Sequence, residues 1–132
     1  MIGLDTNVLV RYIVQDDATQ ARAASRLIET RCTTENPGFV SLLVLAELVW
    51  VLERAYGYVR NQVAEVLNGI LTSAELKVEQ SDLARRALLG YGSGPADFAD
   101  FLIGHVNAES GCSTTATFDK RTVRSGLHSL VR

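Results

Sequence analysis

Apolar positions recur with helical spacing over most of the chain. Ala21, Ala24 and Ile28 lie on one face of a helix predicted to begin near Asp16-Asp17, because acids favour the first turn of a helix. Later apolar patterns predict further helices over about 41–56 (ended by Gly57), 63–71, 83–89 and 96–111. A loop is predicted over 90–95, which holds three glycines and a proline.

Short stretches of β-forming residues separate these helices. They are Leu4 before a polar step at 5–7, Phe39-Val40, Leu76 to Glu79, and Thr114 to Phe118. Strands that alternate with helices are typical of parallel βαβ units. We therefore expect an α/β fold, with a buried parallel sheet and helices on both of its faces. No internal repeat or linker interrupts the pattern, so we expect a single domain over residues 1–132.

Composition and charge exclude several classes of protein. With 13 basic and 15 acidic residues the net charge is −2, so a polyanion would have to be held by a local patch or through metal ions. Cys32 and Cys112 lie far apart, which argues against a secreted disulfide scaffold. The N-terminus has no basic n-region, and the longest apolar stretch is too short to span a bilayer. We expect a cytoplasmic protein that does not bind membranes.

Five carboxylates end or interrupt apolar elements. Glu47 is the only charge in the apolar run around it, and a helix that is apolar almost all round is usually buried. Asp5 and Asp119 each follow a predicted strand. Asp97 and Asp100 are three positions apart on one helix, so both project from the same face. A buried carboxylate without a partner is costly or changes its pKa, so these positions call for an explanation.

A divalent cation would explain them. Ligands collect at the carboxyl ends of strands in open α/β sheets, where Asp5 and Asp119 are expected. Carboxylates that converge repel one another unless a cation neutralises them. Oxygen-only ligands suit Mg²⁺ or Mn²⁺, whereas zinc prefers nitrogen or sulfur, and the histidines and cysteines form no cluster. Such a site is suited to phosphoryl chemistry.

Each acid also has an ordinary structural explanation. Asp5 and Asp97 would cap helices, Asp119 would begin a turn, and Glu47 would pair with an arginine such as Arg11. Structural ion pairs also perturb acids, so one acid alone carries little weight. Because each of them closes or interrupts an apolar element, the set as a whole favours a site.

The chain resembles the PIN-domain ribonucleases, and most closely the VapC-type toxins of bacterial toxin–antitoxin pairs. The segments that carry the resemblance are Ile2-Gly3-Leu4-Asp5-Thr6-Asn7-Val8-Leu9, Ser41 to Leu48, Asp97 to Ile103, and Thr117-Phe118-Asp119. The opening Asp-Thr-Asn is a weak motif by itself. All four segments in this order, over nearly the entire chain, are a specific signal.

The resemblance implies a three-layer α/β/α sandwich with a central, mainly parallel sheet, and an endoribonuclease that hydrolyses RNA phosphodiester bonds with Mg²⁺ or Mn²⁺. By position, the resemblance implies that the catalytic, metal-binding carboxylates are Asp5, Glu47, Asp100 and Asp119. Asp5 and Asp100 would be direct metal ligands, and Asp97 an accessory catalytic acid. Thr6, Asn7 and Thr117 resemble residues that orient the first carboxylate, a water or the scissile phosphate. Either Asp119 or Glu47 would accept the proton or hold a second metal ion.

The resemblance also implies a homodimer and a cognate antitoxin, whose peptide would lie in a groove and bring a basic side chain to the acidic site. Lys120, Arg121 and Arg124 directly follow Asp119 and are candidate phosphate contacts. The remaining reactive or aromatic side chains have structural explanations. His105 and His128 are expected to be structural, and Cys112 a small core residue. Trp50 is expected to be a packing residue, with base stacking as its alternative.

Two other classes of function stay open as alternatives. A phosphohydrolase of the haloacid-dehalogenase type also begins with a strand and an aspartate, but its chemistry needs a second aspartate two residues later, where Asn7 stands. A non-catalytic or regulatory PIN-like protein-binding module would be expected to have lost a site carboxylate, and all of them are present. The ribonuclease is therefore the leading hypothesis.

Overall fold

The computed structural model describes residues 1–132, which form seven helices and five strands. The helices are α1 (Thr6–Val14), α2 (Ala18–Arg31), α3 (Leu42–Tyr56), α4 (Arg60–Thr72), α5 (Ser81–Ser93), α6 (Phe98–Glu109) and α7 (Lys120–Val123). The strands are β1 (Ile2–Gly3), β2 (Gly38–Val40), β3 (Leu76–Val78), β4 (Thr115–Thr117) and β5 (His128–Leu130). They are distributed over two compact units, unit 1 (Met1–Ser81) and unit 2 (Asp82–Arg132).

Unit 1 contains a three-stranded parallel sheet in the order β1-β2-β3. The central strand is in register with both neighbours, because Gly38 is opposite Ile2 on one side and Leu76 on the other. Gly38 begins this strand. A side chain there would meet the Cys32 sulfur at 2.7 Å, so the close approach of α2 requires glycine.

Helix α3 begins and ends where the sequence predicts. The Ser41 hydroxyl caps it by accepting the backbone N–H of Val44 at 3.2 Å, and Gly57 ends it with a φ of 67°. One face of α3 is buried through four aliphatic residues: Leu45, Leu48, Val49 and Leu52. The opposite face is exposed and includes Leu43 and Trp50, so the prediction that Trp50 is a packing residue is wrong.

Unit 2 contains a two-stranded parallel sheet of β4 and β5, in which Thr115 is opposite His128. Helix α5 continues through Ser93, so the loop predicted over 90–95 is wrong for its first four residues. The ring of Phe101 occupies the space that a side chain at Gly90 would need. A glycine is therefore tolerated inside α5 at this position because it lets Phe101 pack closely. Strand β5 and helix α7 were not predicted.

Every strand pairing in the structure is parallel, and the elements alternate as βαβ units do, which confirms the α/β class. Both cysteines are free thiols. Cys32 is buried, but Cys112 is exposed, so its expected place in the core is wrong. None of the helices combines the length and the apolar character needed to cross a membrane. A single domain over 1–132 stays a prediction.

Candidate active site

Asp5 lies where the first strand gives way to the first helix. Its backbone is extended and its Oδ1 accepts the backbone N–H of Thr6 at 2.8 Å, which makes it the N-cap of α1. The side chain is exposed. The structural explanation of this acid is thus correct, and because a carboxylate has several lone pairs, the cap leaves acceptor capacity for another ligand.

Thr6 joins the two acids of unit 1. Its backbone N–H binds Asp5, and its hydroxyl donates a short hydrogen bond to Oε1 of Glu47 on α3. Thr6 itself is only 3% exposed, so the donor of this link between α1 and α3 is buried, although the acceptor Glu47 is exposed. Unit 1 therefore brings Asp5 and Glu47 together around one buried threonine.

The prediction that Glu47 is buried is wrong. Its side chain lies on the exposed face of α3, between Leu43 and Trp50 in sequence. The suggested ion pair with Arg11 is also wrong. The Arg11 guanidinium instead contacts Asp16 at 3.1 Å and the hydroxyl of Tyr56 at 3.2 Å.

Asn7, the third residue of the opening motif, is exposed. It lines a shallow cavity of about 320 Å³ between α1 and α2, together with Arg11 and Gln20. Asn7 is therefore accessible to a ligand, whereas Thr6 is not.

In unit 2, Asp97 and Asp100 stand at the first turn of α6. Asp97 is the N-cap, and its backbone N–H donates to Oδ2 of Asp100 at 3.2 Å. Both side chains are half-buried. The spacing of three thus places both acids at the positive end of one helix, where negative charge is favoured.

Asp119 is the N-cap of α7. Its Oδ1 accepts the backbone N–H of Arg121 at 2.8 Å, while its own backbone N–H donates to the Thr117 hydroxyl at 3.1 Å. The hydrogen bond from the Arg121 backbone, aided by the Arg121 charge, lowers the pKa of Asp119 below its ordinary value. The hydrogen bond between the Thr117 hydroxyl and the Asp119 backbone shows that Thr117 orients the backbone at Asp119.

Arg121 is shared by two of the candidate carboxylates. Its Nη2 lies 3.7 Å from Oδ2 of Asp119 and 4.0 Å from Oδ2 of Asp97. About half or more of each of these side chains is exposed, so the pairs are weak. Lys120 and Arg124 are exposed and form no ion pair.

No group of three or more His, Cys, Asp or Glu side chains is placed to hold a metal ion in this structure. The chemistry of the donors nevertheless fits a hard divalent cation, because all the candidates are carboxylates. The guanidinium of Arg121 is a stand-in cation, since Asp97 and Asp119 both face it. The donor atoms of these residues, all carboxylate oxygens, are therefore of the type that Mg²⁺ or Mn²⁺ prefers.

The prediction that both histidines are structural agrees with the surroundings of His128, which is buried with its Nδ1 3.0 Å from the Ser125 hydroxyl. Burial, together with the charge of Arg86, lowers the pKa of His105 below its ordinary value.

Sequence reasoning missed one feature beside the site. Phe118 lies between Thr117 and Asp119, yet 81% of it is exposed. The alternation of β4, in which Thr115 and Thr117 are half-buried and Ala116 is exposed, was the signal that could have revealed it.

Comparison with known proteins gives the family. The sequence model of the PIN domain matches residues 2–125. A curated relative from Aquifex aeolicus (strain VF5), named VapC ribonuclease, is 26% identical over 124 residues, which cover 94% of this chain and 91% of the relative. No solved structure matches the chain. Because the family model covers both compact units and nearly the whole sequence, the chain belongs to the PIN domain family.

Proposed function

We propose that this protein is a metal-dependent endoribonuclease that hydrolyses RNA, and that it is the toxin of a toxin–antitoxin pair. The observation that carries the proposal is the pairing of Asp5 and Glu47 around Thr6, in a chain that the PIN domain model matches over residues 2–125. The name of the Aquifex aeolicus relative supports the same activity.

The proposed metal ligands are Asp5, Asp100 and Asp119, with Asp97 as an accessory acid, while Glu47, the fourth carboxylate of the resemblance, takes the role of proton acceptor. When bound, Mg²⁺ or Mn²⁺ supplies positive charge that neutralises the scissile phosphate and makes a water molecule more acidic. Asp119 suits a cation because one of its oxygens accepts a backbone N–H and the other faces Arg121. Asp100 is held at the start of α6 by the backbone of Asp97.

Glu47 is the proposed proton acceptor. The Thr6 hydroxyl fixes one of its oxygens, which leaves the second oxygen to take a proton from the attacking water. Thr6 is therefore a positioning residue, and exposed Asn7 is the proposed contact to water or phosphate.

An apolar groove of about 810 Å³ in unit 1 is the proposed site of the antitoxin. Aliphatic side chains of α1, α2 and α4 line it, among them Leu9, Ile13, Ile28, Val66 and Ile70. Three exposed glutamates, Glu29, Glu65 and Glu75, also line it, and no lysine or arginine does. This combination complements an amphipathic helix with basic residues.

Charge reversal tests the groove without disturbing the core. We expect a Glu29→Lys/Glu65→Lys variant to cleave RNA like the wild type and to escape inhibition by the cognate antitoxin. Equal inhibition of both proteins would refute this site. A homodimer and a cytoplasmic location stay predictions, and sedimentation of the purified protein tests the first.

The test of the activity is cleavage of total RNA in Mg²⁺ or Mn²⁺, with and without EDTA. We expect discrete fragments from the wild type, no fragments with EDTA, and a loss of at least about 100-fold for Asp5→Asn. Asp82→Asn is the matched control, because it removes another exposed acid at the start of a helix, outside the motif. Cleavage by Asp5→Asn at the control rate would refute the assignment. Absence of cleavage by the wild type would favour a non-catalytic binding module.

A further inference from the structure

The exposed ring of Phe118 stands on a fixed stretch of backbone. The carbonyl of Thr117 accepts the N–H of Val131 at 2.8 Å, and the Thr117 hydroxyl accepts the N–H of Asp119 at 3.1 Å. Hydrogen bonds thus hold the residues on both sides of Phe118, although 81% of the phenylalanine itself is in contact with solvent. Single exposed apolar residues are common, so exposure alone assigns no role.

The surroundings of Phe118 distinguish it from the other exposed apolar residues of unit 2. Asp119, a proposed catalytic carboxylate, is its neighbour in sequence, and Lys120 and Arg124 follow with positive charges that form no ion pair. An exposed aromatic ring followed within a few residues by cations without ion pairs is a combination by which proteins bind single-stranded nucleic acids: the ring stacks on a base, and the cations bind phosphates. Leu89 and Ile103 are exposed on helices and have no such sequence setting.

We propose that Phe118 is a stacking platform for a base of the single-stranded RNA substrate, next to the phosphate that is cleaved, and that Lys120 and Arg124 bind the flanking phosphates. The proposal rests on the ribonuclease function proposed above and adds a residue that positions the substrate. A base can reach the ring only when it is unpaired, so the enzyme selects single-stranded segments. Every base has a face that can stack on the ring, so Phe118 distinguishes single-stranded from double-stranded RNA more than it distinguishes one base sequence from another.

Binding of a fluorescein-labelled single-stranded RNA of about eight nucleotides tests the platform, in an Asp5→Asn background that prevents cleavage. We expect Phe118→Ala to weaken binding by about 5- to 100-fold. Phe118→Tyr and Phe118→Trp keep a stacking surface and should keep the affinity. Phe118→Leu keeps an apolar side chain without a ring and should behave like alanine. Leu89→Ala is the control for loss of an exposed apolar side chain in the same unit.

A second readout follows the ring itself. In a Trp50→Phe/Phe118→Trp protein the new indole is the only tryptophan, and we expect single-stranded RNA to quench its fluorescence and a duplex of the same sequence to leave it unchanged. In cleavage assays of the protein that keeps Asp5, Phe118→Ala should raise KM more than it lowers kcat. Lys120→Gln and Arg124→Gln should each reduce the slope of log affinity against log salt by about 0.7.

Three outcomes would overturn the proposal. One is unchanged RNA affinity for Phe118→Ala, and another is full affinity for Phe118→Leu, which would show an apolar contact without stacking. The third is a change of oligomeric state in Phe118→Ala with unchanged RNA affinity, which would make the ring part of a protein interface. If Phe118→Ala cleaves like the wild type while Asp5→Asn does not, the nuclease stands and the platform falls. A wild type that neither binds nor cleaves RNA refutes both.

Discussion

The two units hold their candidate carboxylates in different ways. In unit 1, Asp5 and Glu47 are bound by Thr6, a neutral residue that is 3% exposed. In unit 2, Asp97 and Asp119 face the guanidinium of Arg121, and all three side chains are about half exposed or more. A hydrogen bond from a buried donor orients the carboxylate that accepts it, whereas an exposed ion pair is weak and is displaced easily. Unit 1 therefore presents fixed acids, and unit 2 presents acids whose present cation can be exchanged.

The largest effect that the comparison predicts is on Glu47. If its fixed carboxylate accepts the proton, Glu47→Gln lowers kcat for RNA cleavage by about 10²–10⁴-fold, because glutamine is the same size and cannot act as a base. RNA affinity should change little. Glu35→Gln, which removes an exposed acid outside the motif, is the control for the loss of charge. A Glu47→Gln enzyme that turns over at the rate of the control would show that another group takes the proton.

A smaller loss is expected from Thr6→Val, which removes the hydroxyl and keeps the shape of the side chain. Glu47 then loses the donor that orients it, so we expect kcat to fall about 10-fold while the melting temperature changes little, since exposed Glu47 regains a partner from water. Thr6→Ser keeps the donor and should retain most of the activity. If valine and serine lower kcat equally, packing at Thr6 matters and its hydrogen bond does not.

Substitution of Arg121 tests whether the cation that faces Asp97 and Asp119 in unit 2 can be exchanged. In Arg121→Gln, Asp97 and Asp119 lose the cation that they share, so we expect Mn²⁺ titrated calorimetrically to bind about two- to five-fold more tightly. Arg124→Gln is a matched control, because it removes the same charge three residues later from a side chain without an ion pair. Equal gains in both variants would mean that only the overall charge matters.

The sequence predicted most of what depends on local chemistry. The ends of α3 follow from Ser41 and Gly57, and the acids at 5, 97 and 119 lie at helix starts, where free N–H groups and the helix dipole favour negative charge. The two explanations offered for Asp5 and Asp119 were not exclusive. The capping role is observed, and it places these acids at the carboxyl ends of strands, where the metal-binding role is proposed.

The failures concern contacts between residues distant in sequence. An apolar run predicts that α3 is buried, but only the packing of its neighbours decides that Leu43, Glu47 and Trp50 are on the open face. Arg11 pairs with Asp16 instead of Glu47 because Tyr56, at the far end of α3, donates to the same aspartate. Such partners are selected by the fold and leave no mark in the local pattern.

The smallest predicted effect is on stability in acid. Hydrogen bonding, from Tyr56 to Asp16 and from the Arg121 backbone to Asp119, lowers the pKa of each carboxyl below its ordinary 3.8. A carboxyl whose pKa is lower in the folded state stabilises the fold above the unfolded pKa, and this stabilisation is lost as the pH falls through the folded value. We therefore expect Asp16→Asn and Asp119→Asn each to reduce the fall in melting temperature below about pH 4.

The two variants should differ in how salt affects them. Asp16 is held within a network that joins α1 to α3 through the hydroxyl of Tyr56, whereas the ion pair of Asp119 is formed with an exposed guanidinium. Since salt screens exposed charges most, 0.5 M NaCl should diminish the effect of Asp119→Asn more than that of Asp16→Asn. Melting curves from pH 7 to pH 2.5 at two salt concentrations measure this. Equal salt dependence would mean that both acids are held mainly by their hydrogen bonds, and that the ion pair of Arg121 adds nothing measurable.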